Sequence, residues 1–232
     1  MLELIKSNFM DLCQRFGMDP SCWDKYIQGE LLRKQELIDV VNYRHSKEDL
    51  WETFPQGLPG TVLNGFCLYA LIRHFGVKNA VETGVANGFY TSFMLAAIIE
   101  NEGQLHSVDI CDHEDIAMCV PEKYRTYPGW HLTKGVDSLA FLKDKTPHEY
   151  DLCVHDSLHT RDHMSKEFEI FKNTNKEQFL IFVDDQNSQD WFEFMMNLNE
   201  QSKNGYTFRV AEGRFCQIKG HLGGFFKYQK KA

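Results

Sequence analysis

The segment Val81-Glu82-Thr83-Gly84-Val85-Ala86-Asn87-Gly88-Phe89 ends a short apolar run of strand type and leads into a helical pattern. A strand, a glycine turn and a helix in this order form the setting that a nucleotide-binding turn requires. Gly84 can adopt a positive φ and lets the backbone approach a ligand, while Gly88 relieves packing where the helix begins. The alternative is a tight turn without a ligand, since glycine turns are frequent in α/β folds.

After this turn, short apolar runs alternate with amphipathic stretches. Strands are predicted at residues 79–82, 104–108, 131–134, 150–155, 179–184, 208–211 and 224–228, with helices between them at 90–99, 138–142, 161–171 and 190–198. Such alternation predicts an α/β fold with a doubly wound, mostly parallel seven-stranded sheet and helices on both faces. The last two strands have no helix between them, so we expect them to form an antiparallel hairpin at the edge of the sheet.

The N-terminal quarter of the chain has a different pattern. Apolar residues there recur at helical intervals without a strand signal. Pro55, Gly57, Pro59 and Gly60 then form a cluster that is expected to interrupt regular structure. We therefore predict a helical N-terminal extension or cap at residues 1–57 and a main domain at residues 58–232. The first helix of that domain is expected to begin at Val62 and to end near residue 76.

The composition bears on the kind of partner and on the compartment. The chain has 232 residues and a formal net charge of −8, so its average surface repels polyanions and favours a small-molecule acceptor over nucleic acid. Its seven cysteines include no C-x-x-C pair, which indicates reduced thiols and a cytoplasmic protein. No apolar run approaches the ~20 residues that span a bilayer, so no membrane partner is expected. The N-terminal helices are candidates for a homodimer contact.

Two acidic residues near the turn suit particular parts of a ligand. Glu82, shortly before Gly84, can accept a hydrogen bond from an ammonium group, directly or through water. Asp109 lies at the tip of the second predicted strand, where an acid can hold both hydroxyls of a ribose. The alternative for Asp109 is a solvated strand end.

Three motifs together resemble those of class I S-adenosylmethionine-dependent methyltransferases. They are Glu82-Thr83-Gly84 with Gly88, Val108-Asp109, and Gly135-Val136-Asp137-Ser138, and the resemblance covers roughly residues 58–232. It implies that the glycine turn holds the methionine half of S-adenosylmethionine, that Asp109 holds the ribose, and that Val136 and Asp137 flank adenine. The cofactor-binding residues predicted in this way are Glu82, Gly84, Asn87, Gly88, Asp109, Val136, Asp137 and Asp156.

A second group of polar residues follows the fourth and fifth predicted strands. Asp156 ends one strand, with His159 three residues on, and Asp184 and Asp185 end the next. Parallel strands bring these ends to one edge of the sheet, where three carboxylates repel one another unless a cation or protons intervene. Oxygen ligands suit Mg²⁺ or another divalent metal, and His159 could remove a proton from a substrate hydroxyl.

This D-x-x-H and D-D arrangement resembles metal-dependent O-methyltransferases of the catechol type. Because of His159 it is more similar to those that act on sugars of macrolide antibiotics. The resemblance implies that His159 is the base and that Asp156, Asp184 and Asp185 bind the metal. The chain is accordingly predicted to transfer a methyl group from S-adenosylmethionine to a hydroxyl of a sugar, a polyol or a natural product.

Several alternatives stay open at this point. Asp184 or Asp185 could cap the next helix, and His155 and His159 could pair with Asp156 structurally, leaving no metal site. The chain would then be a metal-independent N- or O-methyltransferase; a silent cofactor-binding protein and a hydrolase are further candidates. Two other polar stretches, residues 111–115 and 161–163, are interpreted as a solvated loop and the exposed start of a helix.

Overall fold

A computed structural model describes residues 2–46, 58–144, 149–173, 178–185, 208–209 and 222–229. The strands are β1 (Asn79–Thr83), β2 (Gln104–Asp109), β3 (Trp130–Lys134), β4 (Leu152–His155), β5 (Gln178–Asp185), β6 (Phe208–Arg209) and β7 (Leu222–Gln229). The α-helices are α1 (Leu2–Phe16), α2 (Gln35–Ser46), α3 (Leu58–Phe75), α4 (Phe89–Glu100), α5 (Glu122–Arg125), α6 (Ser138–Asp144) and α7 (Arg161–Lys172). The predicted helix at 190–198 lies outside these ranges, as does part of the strand predicted at 208–211.

The seven strands form one sheet in the order β3-β2-β1-β4-β5-β7-β6. Strands β1 to β5 are parallel, and β7 is antiparallel to both of its neighbours. The predicted doubly wound, mostly parallel α/β fold is therefore confirmed. The antiparallel pairing of the last two strands is confirmed as well, and because β7 also pairs with β5, it is β6 that lies at the edge.

The register of the parallel strands sets up the candidate site. Thr83 is paired with Val108 on one side and with His155 on the other, and His155 is paired in turn with Val183. The residue that follows each of these four paired residues therefore lies at the carboxyl edge of the sheet, beside the corresponding residue of the neighbouring strand. These four residues are Asp109, Gly84, Asp156 and Asp184.

The N-terminal region is helical where it is described, as predicted. Besides α1 and α2 it contains a π-helical segment, Trp23–Gln28, and a short 3-10 helix, Leu31–Arg33. The buried face of α1, including Phe9 and Leu12, belongs to the same hydrophobic core as α3 and α4. The domain boundary at residue 57 stays a prediction.

Helix α3 corrects one expectation. It begins at Leu58 and not at Val62, so Pro59 and Gly60 lie in its first turn. Proline is compatible with that position because the first N–H groups of a helix have no intrahelical acceptor to lose. The predicted end is confirmed: Gly76 has a φ of +62°, and the Val77 N–H donates to the Ile72 carbonyl at 3.0 Å.

Helix α4 is buried on all sides from Phe89 to Ile98. It packs between α3 and the sheet, and its first turn carries Tyr90 and Thr91 toward the carboxyl edge. Within the described ranges, no helix combines the length and the apolar character that a bilayer span requires.

Candidate active site

Gly84 and Gly88 shape the turn that follows β1. Both have a φ of +82°, which residues with a side chain rarely adopt. A Cβ atom on Gly84 would lie 2.0 Å from the carbonyl oxygen of Asp156, and one on Gly88 would lie 2.7 Å from Cγ2 of Val120. The protein's own packing therefore requires both glycines. Their closeness to a cofactor stays a prediction.

Asn87 fixes the start of α4. Its Oδ1 accepts a hydrogen bond from the Phe89 N–H at 3.1 Å, and its carbonyl accepts from the Cys119 N–H at 2.7 Å. The Ala86 carbonyl accepts from the Ala117 N–H at 2.8 Å in the same way. The backbone of the turn at Ala86 and Asn87 is thus hydrogen-bonded to the segment 117–120. The contact of Asn87 with a cofactor stays a prediction.

The carboxylate of Asp109 reaches from β2 to the same turn. Its Oδ2 accepts from the Val85 N–H at 2.8 Å and from the Ala86 N–H at 2.9 Å, and its Oδ1 accepts from the Cys111 N–H at 2.8 Å. Asp109 is buried, so the alternative of a solvated strand end is wrong. These three hydrogen bonds use three of the roughly four acceptor positions of the carboxylate. A ribose hydroxyl would have to bind at the remaining position.

Glu82 is buried at the end of β1 and has partners within the protein. Thr91 Oγ1 donates to Oε1 at 2.9 Å and lies 3.0 Å from Oε2, and Ser107 Oγ donates to Oε2 at 2.7 Å. Burial raises the pKa of Glu82 to about 8, although these two hydroxyls lower it. The predicted contact of Glu82 with an ammonium group stays a prediction.

The segment that was expected to flank adenine lies next to Asp109. The Val136 N–H donates to the Asp109 carbonyl at 3.2 Å. Asp137 is exposed, and its Oδ1 accepts from the Ala140 N–H at 3.1 Å where α6 begins. The fold thus brings Val136 and Asp137 to the side of the turn on which β2 ends, in agreement with the order of the motifs.

Asp156 and His159 lie together after β4, as their spacing predicted. His159 Nε2 is 3.5 Å from Asp156 Oδ1, and both side chains are partly exposed. The ring of His155 packs against that of His159 with 5.5 Å between the ring centroids. His155 does not pair with Asp156: its Nδ1 lies 2.7 Å from Oε2 of Glu167 instead.

Asp184, on β5, belongs to a buried polar cluster with Asn64 of α3 and Tyr90 of α4. The hydroxyl of Tyr90 donates to Asp184 Oδ1 at 3.1 Å, and Asn64 Nδ2 lies 3.3 Å from Tyr90 Oη and 3.5 Å from Asp184 Oδ1. Burial and the charge of Asp184 hold the pKa of Tyr90 well above its ordinary value, so the phenol is protonated and donates. Asn64 Oδ1 is buried and has no hydrogen-bond partner among the described residues.

The described residues do not form the metal site that the sequence predicts. In the described ranges, no three His, Cys, Asp or Glu side chains form a group that could hold a metal ion. Asp156 and Asp184 follow paired strand residues, but Asp185 ends β5 with its side chain outside what is described. In the 111–115 loop, the exposed His113 lies 3.2 Å from the exposed Asp115, which agrees with a solvated loop.

Glu167 and His163 form a buried cluster that the sequence pattern did not predict. His163 was interpreted as part of an exposed helix start, which is wrong: Arg161 and Asp162 are exposed, but His163 is buried and its Nε2 lies 2.9 Å from Glu167 Oε1. Residues four apart share one face of a helix, so the spacing of His163 and Glu167 was the available signal. The hydrogen bond to Glu167 raises the pKa of His163 against the effect of burial.

Comparison with known proteins agrees with this geometry. Residues 81–186 match a protein family described as a methyltransferase domain. No curated protein sequence matches the chain. An O-methyltransferase from Bacillus cereus, solved in complex with S-adenosylhomocysteine, has 17% sequence identity and a TM-score of 0.60, and the match covers 85% of this chain and 91% of that one.

Two further solved structures share the fold. The S-adenosylhomocysteine-bound methyltransferase PaMTH1 from Podospora anserina has 13% identity and a TM-score of 0.60, with 84% of this chain and 88% of that chain covered. The O-methyltransferase TomG from Streptomyces achromogenes, involved in tomaymycin synthesis and solved with S-adenosylmethionine, has 16% identity and a TM-score of 0.55, with 72% and 80% covered. The predicted resemblance to class I S-adenosylmethionine-dependent methyltransferases is confirmed.

Proposed function

We propose that this methyltransferase moves the methyl group of S-adenosylmethionine to a hydroxyl of a small molecule, with His159 as the base. The observation on which the proposal rests is the contact between the two halves of the site. The backbone at Asp156 lies directly against Gly84, and His159 Nε2 lies 3.5 Å from Asp156 Oδ1. A proton acceptor therefore stands beside the turn that would hold the methyl donor.

The cofactor part of the proposal draws on the turn and on the relatives. The turn between Glu82 and Gly88 and the acid at the tip of β2 have the order that a nucleoside-bearing ligand requires. Structures with the same fold were solved with S-adenosylmethionine or S-adenosylhomocysteine. We assign the methionine half to the glycine turn, the ribose to the remaining acceptor capacity of Asp109, and adenine to the side of Val136 and Asp137.

The chemical part of the proposal needs alignment and one proton transfer. The attacking oxygen, the methyl carbon and the sulfonium sulfur must lie in line, which a bound pair of substrates satisfies at small entropic cost. His159 takes the hydroxyl proton as the oxygen attacks. Asp156, 3.5 Å from His159 Nε2, stabilises the protonated ring that results.

A divalent metal such as Mg²⁺ belongs to the proposal as a separate claim. Asp156, Asp184 and Asp185 would hold it, and a bound metal ion lowers the pKa of a hydroxyl that coordinates it. Two observations support it: Asp156 and Asp184 follow paired residues of β4 and β5, and the hydrogen bond from Tyr90 orients the carboxylate of Asp184. Oxygen ligands of this kind suit Mg²⁺.

One observation favours a metal-independent methyltransferase as the second candidate. Asp184 is already neutralised in part by hydrogen bonds from Tyr90 and Asn64, so it needs no cation to be buried. In that case the histidine acts alone on an oxygen or nitrogen acceptor. For either candidate we propose a small-molecule acceptor, with no nucleic-acid or membrane partner, because of the net charge of −8.

The test has two arms. Titration calorimetry with S-adenosylhomocysteine, with and without Mg²⁺, measures cofactor binding; no detectable heat would refute the cofactor assignment. Release of S-adenosylhomocysteine is then followed across a library of hydroxylated sugars, polyols and phenols, with a matched set of amines. Methylation of amines alone would overturn the hydroxyl assignment. Full activity in the presence of EDTA would refute the claim that a divalent metal takes part.

A further inference from the structure

Glu167 is the centre of a buried hydrogen-bond network under the candidate site. It lies on α7, has no exposed surface, and is bonded through both carboxylate oxygens. Its Oε1 accepts from Ser157 Oγ at 2.8 Å, from His163 Nε2 at 2.9 Å and from Ser138 Oγ, and its Oε2 accepts from His155 Nδ1 at 2.7 Å and from Thr83 Oγ1 at 2.8 Å.

Four of the five partners of Glu167 named above are direct sequence neighbours of predicted site residues, and His163 is the exception. Thr83 precedes Gly84, and Ser138 follows Asp137. His155 and Ser157 stand on the two sides of Asp156. One buried carboxylate thus links the glycine turn, the start of α6 and the loop that bears Asp156 and His159, although these elements are far apart in the sequence.

The charge of the Glu167 carboxylate also determines which ring nitrogen of His155 carries the proton. Although burial acts in the opposite direction, hydrogen bonds from His155 and His163 hold the pKa of Glu167 well below its ordinary range. An ionised carboxylate only accepts hydrogen bonds, so Nδ1 of His155 is the donor. In the neutral ring, Nε2 is then a bare acceptor. That nitrogen is buried and has no hydrogen-bond partner within the described ranges.

We propose that Glu167 is a positioning residue of the methyl transfer: through His155 and Ser157 it fixes the loop that carries Asp156 and His159 relative to the glycine turn. His155 passes this constraint to the base because its ring packs at 61° to that of His159. Glu167 itself touches no substrate. The proposal rests on the proposed role of His159 as the base.

Stability alone does not explain a charge at this position. A buried ion pair is commonly no more stabilising than an apolar side chain of similar size, because the desolvation of the charges offsets their attraction. An apolar residue at this position of α7 could not hold two imidazole rings and three hydroxyls in fixed directions. Orientation is what the carboxylate adds.

The first experiment reads the proton on His155 directly by nitrogen NMR of the imidazole rings in the full-length protein. Spectra are taken at a pH about two units above the ordinary pKa of histidine. We expect the Nδ1–H tautomer of His155 in the wild type, and in Glu167→Gln a changed tautomer together with shifted His159 resonances. The control is Glu169→Gln, an exposed residue of the same helix, which leaves both rings unchanged. An Nε2–H tautomer in the wild type overturns the proposal.

The second experiment separates positioning from folding and from binding. For Glu167→Gln we expect kcat to fall about 10–100-fold for an acceptor found in the library screen, as for other orienting partners, while the Kd for S-adenosylhomocysteine and the KM of the acceptor stay within about twofold. In a His159→Asn background the same change should cost nothing further, because its effect passes through His159. Equal losses in both backgrounds overturn the proposal.

A second variant and a readout that needs no ligand ensure that these experiments can refute the proposal. If Glu167→Gln does not fold, Ser157→Ala removes the bond from Ser157 Oγ to Glu167, together with its 3.5 Å contact with His155 Nδ1, and leaves the bond between His155 and Glu167. It should move the His159 resonances in the same direction by a smaller amount; unchanged resonances there overturn the proposal. The NMR readout needs neither cofactor nor acceptor. A failure of the proposed function, seen as undiminished activity of His159→Asn, is therefore distinct from a failure of the positioning role.

Discussion

The glycine-turn half of the site and the β4–β5 half differ in how completely their polar groups are bonded. Around the turn, the Asp109 carboxylate, the Asn87 side chain and the Ala86 carbonyl all have short hydrogen bonds to neighbouring backbone. At the tips of β4 and β5, His159 and Asp156 are 3.5 Å apart. Two buried atoms near these tips, His155 Nε2 on β4 and Asn64 Oδ1 on α3, have no hydrogen-bond partner in the described ranges.

This difference fits the two tasks of a group-transfer enzyme. A cofactor that is the same in every reaction cycle is best held by a preformed backbone frame. The reacting side must accept a hydroxyl, take a proton and release a product, so acceptors that are left open there become bonded only when the substrate arrives. The turn is therefore expected to respond to substitutions through folding and cofactor affinity, and the β4–β5 side through kcat.

The largest effect is expected at Gly84. In Gly84→Ala the new Cβ meets the carbonyl of Asp156 at 2.0 Å and the φ of +82° is strained, so backbone on two strands must move. We expect a loss of about 3 kcal/mol or more in the free energy of unfolding, measured with denaturant, and no S-adenosylhomocysteine binding. Gly76→Ala, also at positive φ but with nothing within 4 Å of its Cβ, is the control and should cost about 1 kcal/mol.

The next effect tests the other half of the comparison. His159→Asn should lower kcat by about 10²–10⁴-fold, because the general base is lost, while the Kd for S-adenosylhomocysteine in calorimetry stays unchanged. His113→Asn, in the exposed 111–115 loop, is a matched control that should retain full kcat. A drop in cofactor affinity that accounts for the lost activity would show that the two halves do not divide the tasks as described.

A smaller effect is expected at Asp109. Asp109→Asn replaces one acceptor oxygen by an amide donor that faces the N–H groups of Val85, Ala86 or Cys111. The unmet hydrogen bonds should lower the free energy of unfolding by about 1–3 kcal/mol and weaken S-adenosylhomocysteine binding. Asp112→Asn, on the exposed loop nearby, should change neither quantity. Wild-type unfolding and binding in Asp109→Asn would contradict the bracing role.

The smallest effect is a pH dependence at Glu82. Burial raises its folded pKa to about 8, above the ordinary value of 4.5, so the folded state binds more protons than the unfolded state between these two pH values. The contribution of Glu82 to stability is therefore complete below pH 4.5 and is lost as pH rises toward 8. Glu82→Gln should remove this loss.

Thermal unfolding at a series of pH values checks the sign. The Tm of Glu82→Gln should exceed that of the wild type on the alkaline side by about 3 °C or more, and the two curves should converge toward acid pH. Glu102→Gln, in the turn before β2, is the control, because Glu102 is exposed. Parallel curves for Glu82→Gln and the wild type would mean that Glu82 is ionised in the folded protein.

Much of the fold followed from local patterns. The seven strands, the glycine turn and the end of α3 at Gly76 were predictable because periodicity and glycine act over a few residues. The start of α3 was predicted four residues late, since Pro59 reads as a breaker unless its place in the first helical turn is known. His163 was placed on the surface for a similar reason: the charged neighbours Arg161 and Asp162 conceal the face that it presents to the sheet.

By itself, the sequence determined the α/β class, the glycine turn and the gathering of Asp109, Asp156 and Asp184 at one sheet edge, because the positions and the ends of the strands follow from short-range patterns. Only the tertiary structure decided that Asp109 braces the turn, that Tyr90 bonds Asp184 and that Glu167 joins the two halves. Those bonds connect residues from 12 to 94 positions apart, and a hydrogen bond at such separation depends on packing that no local pattern records.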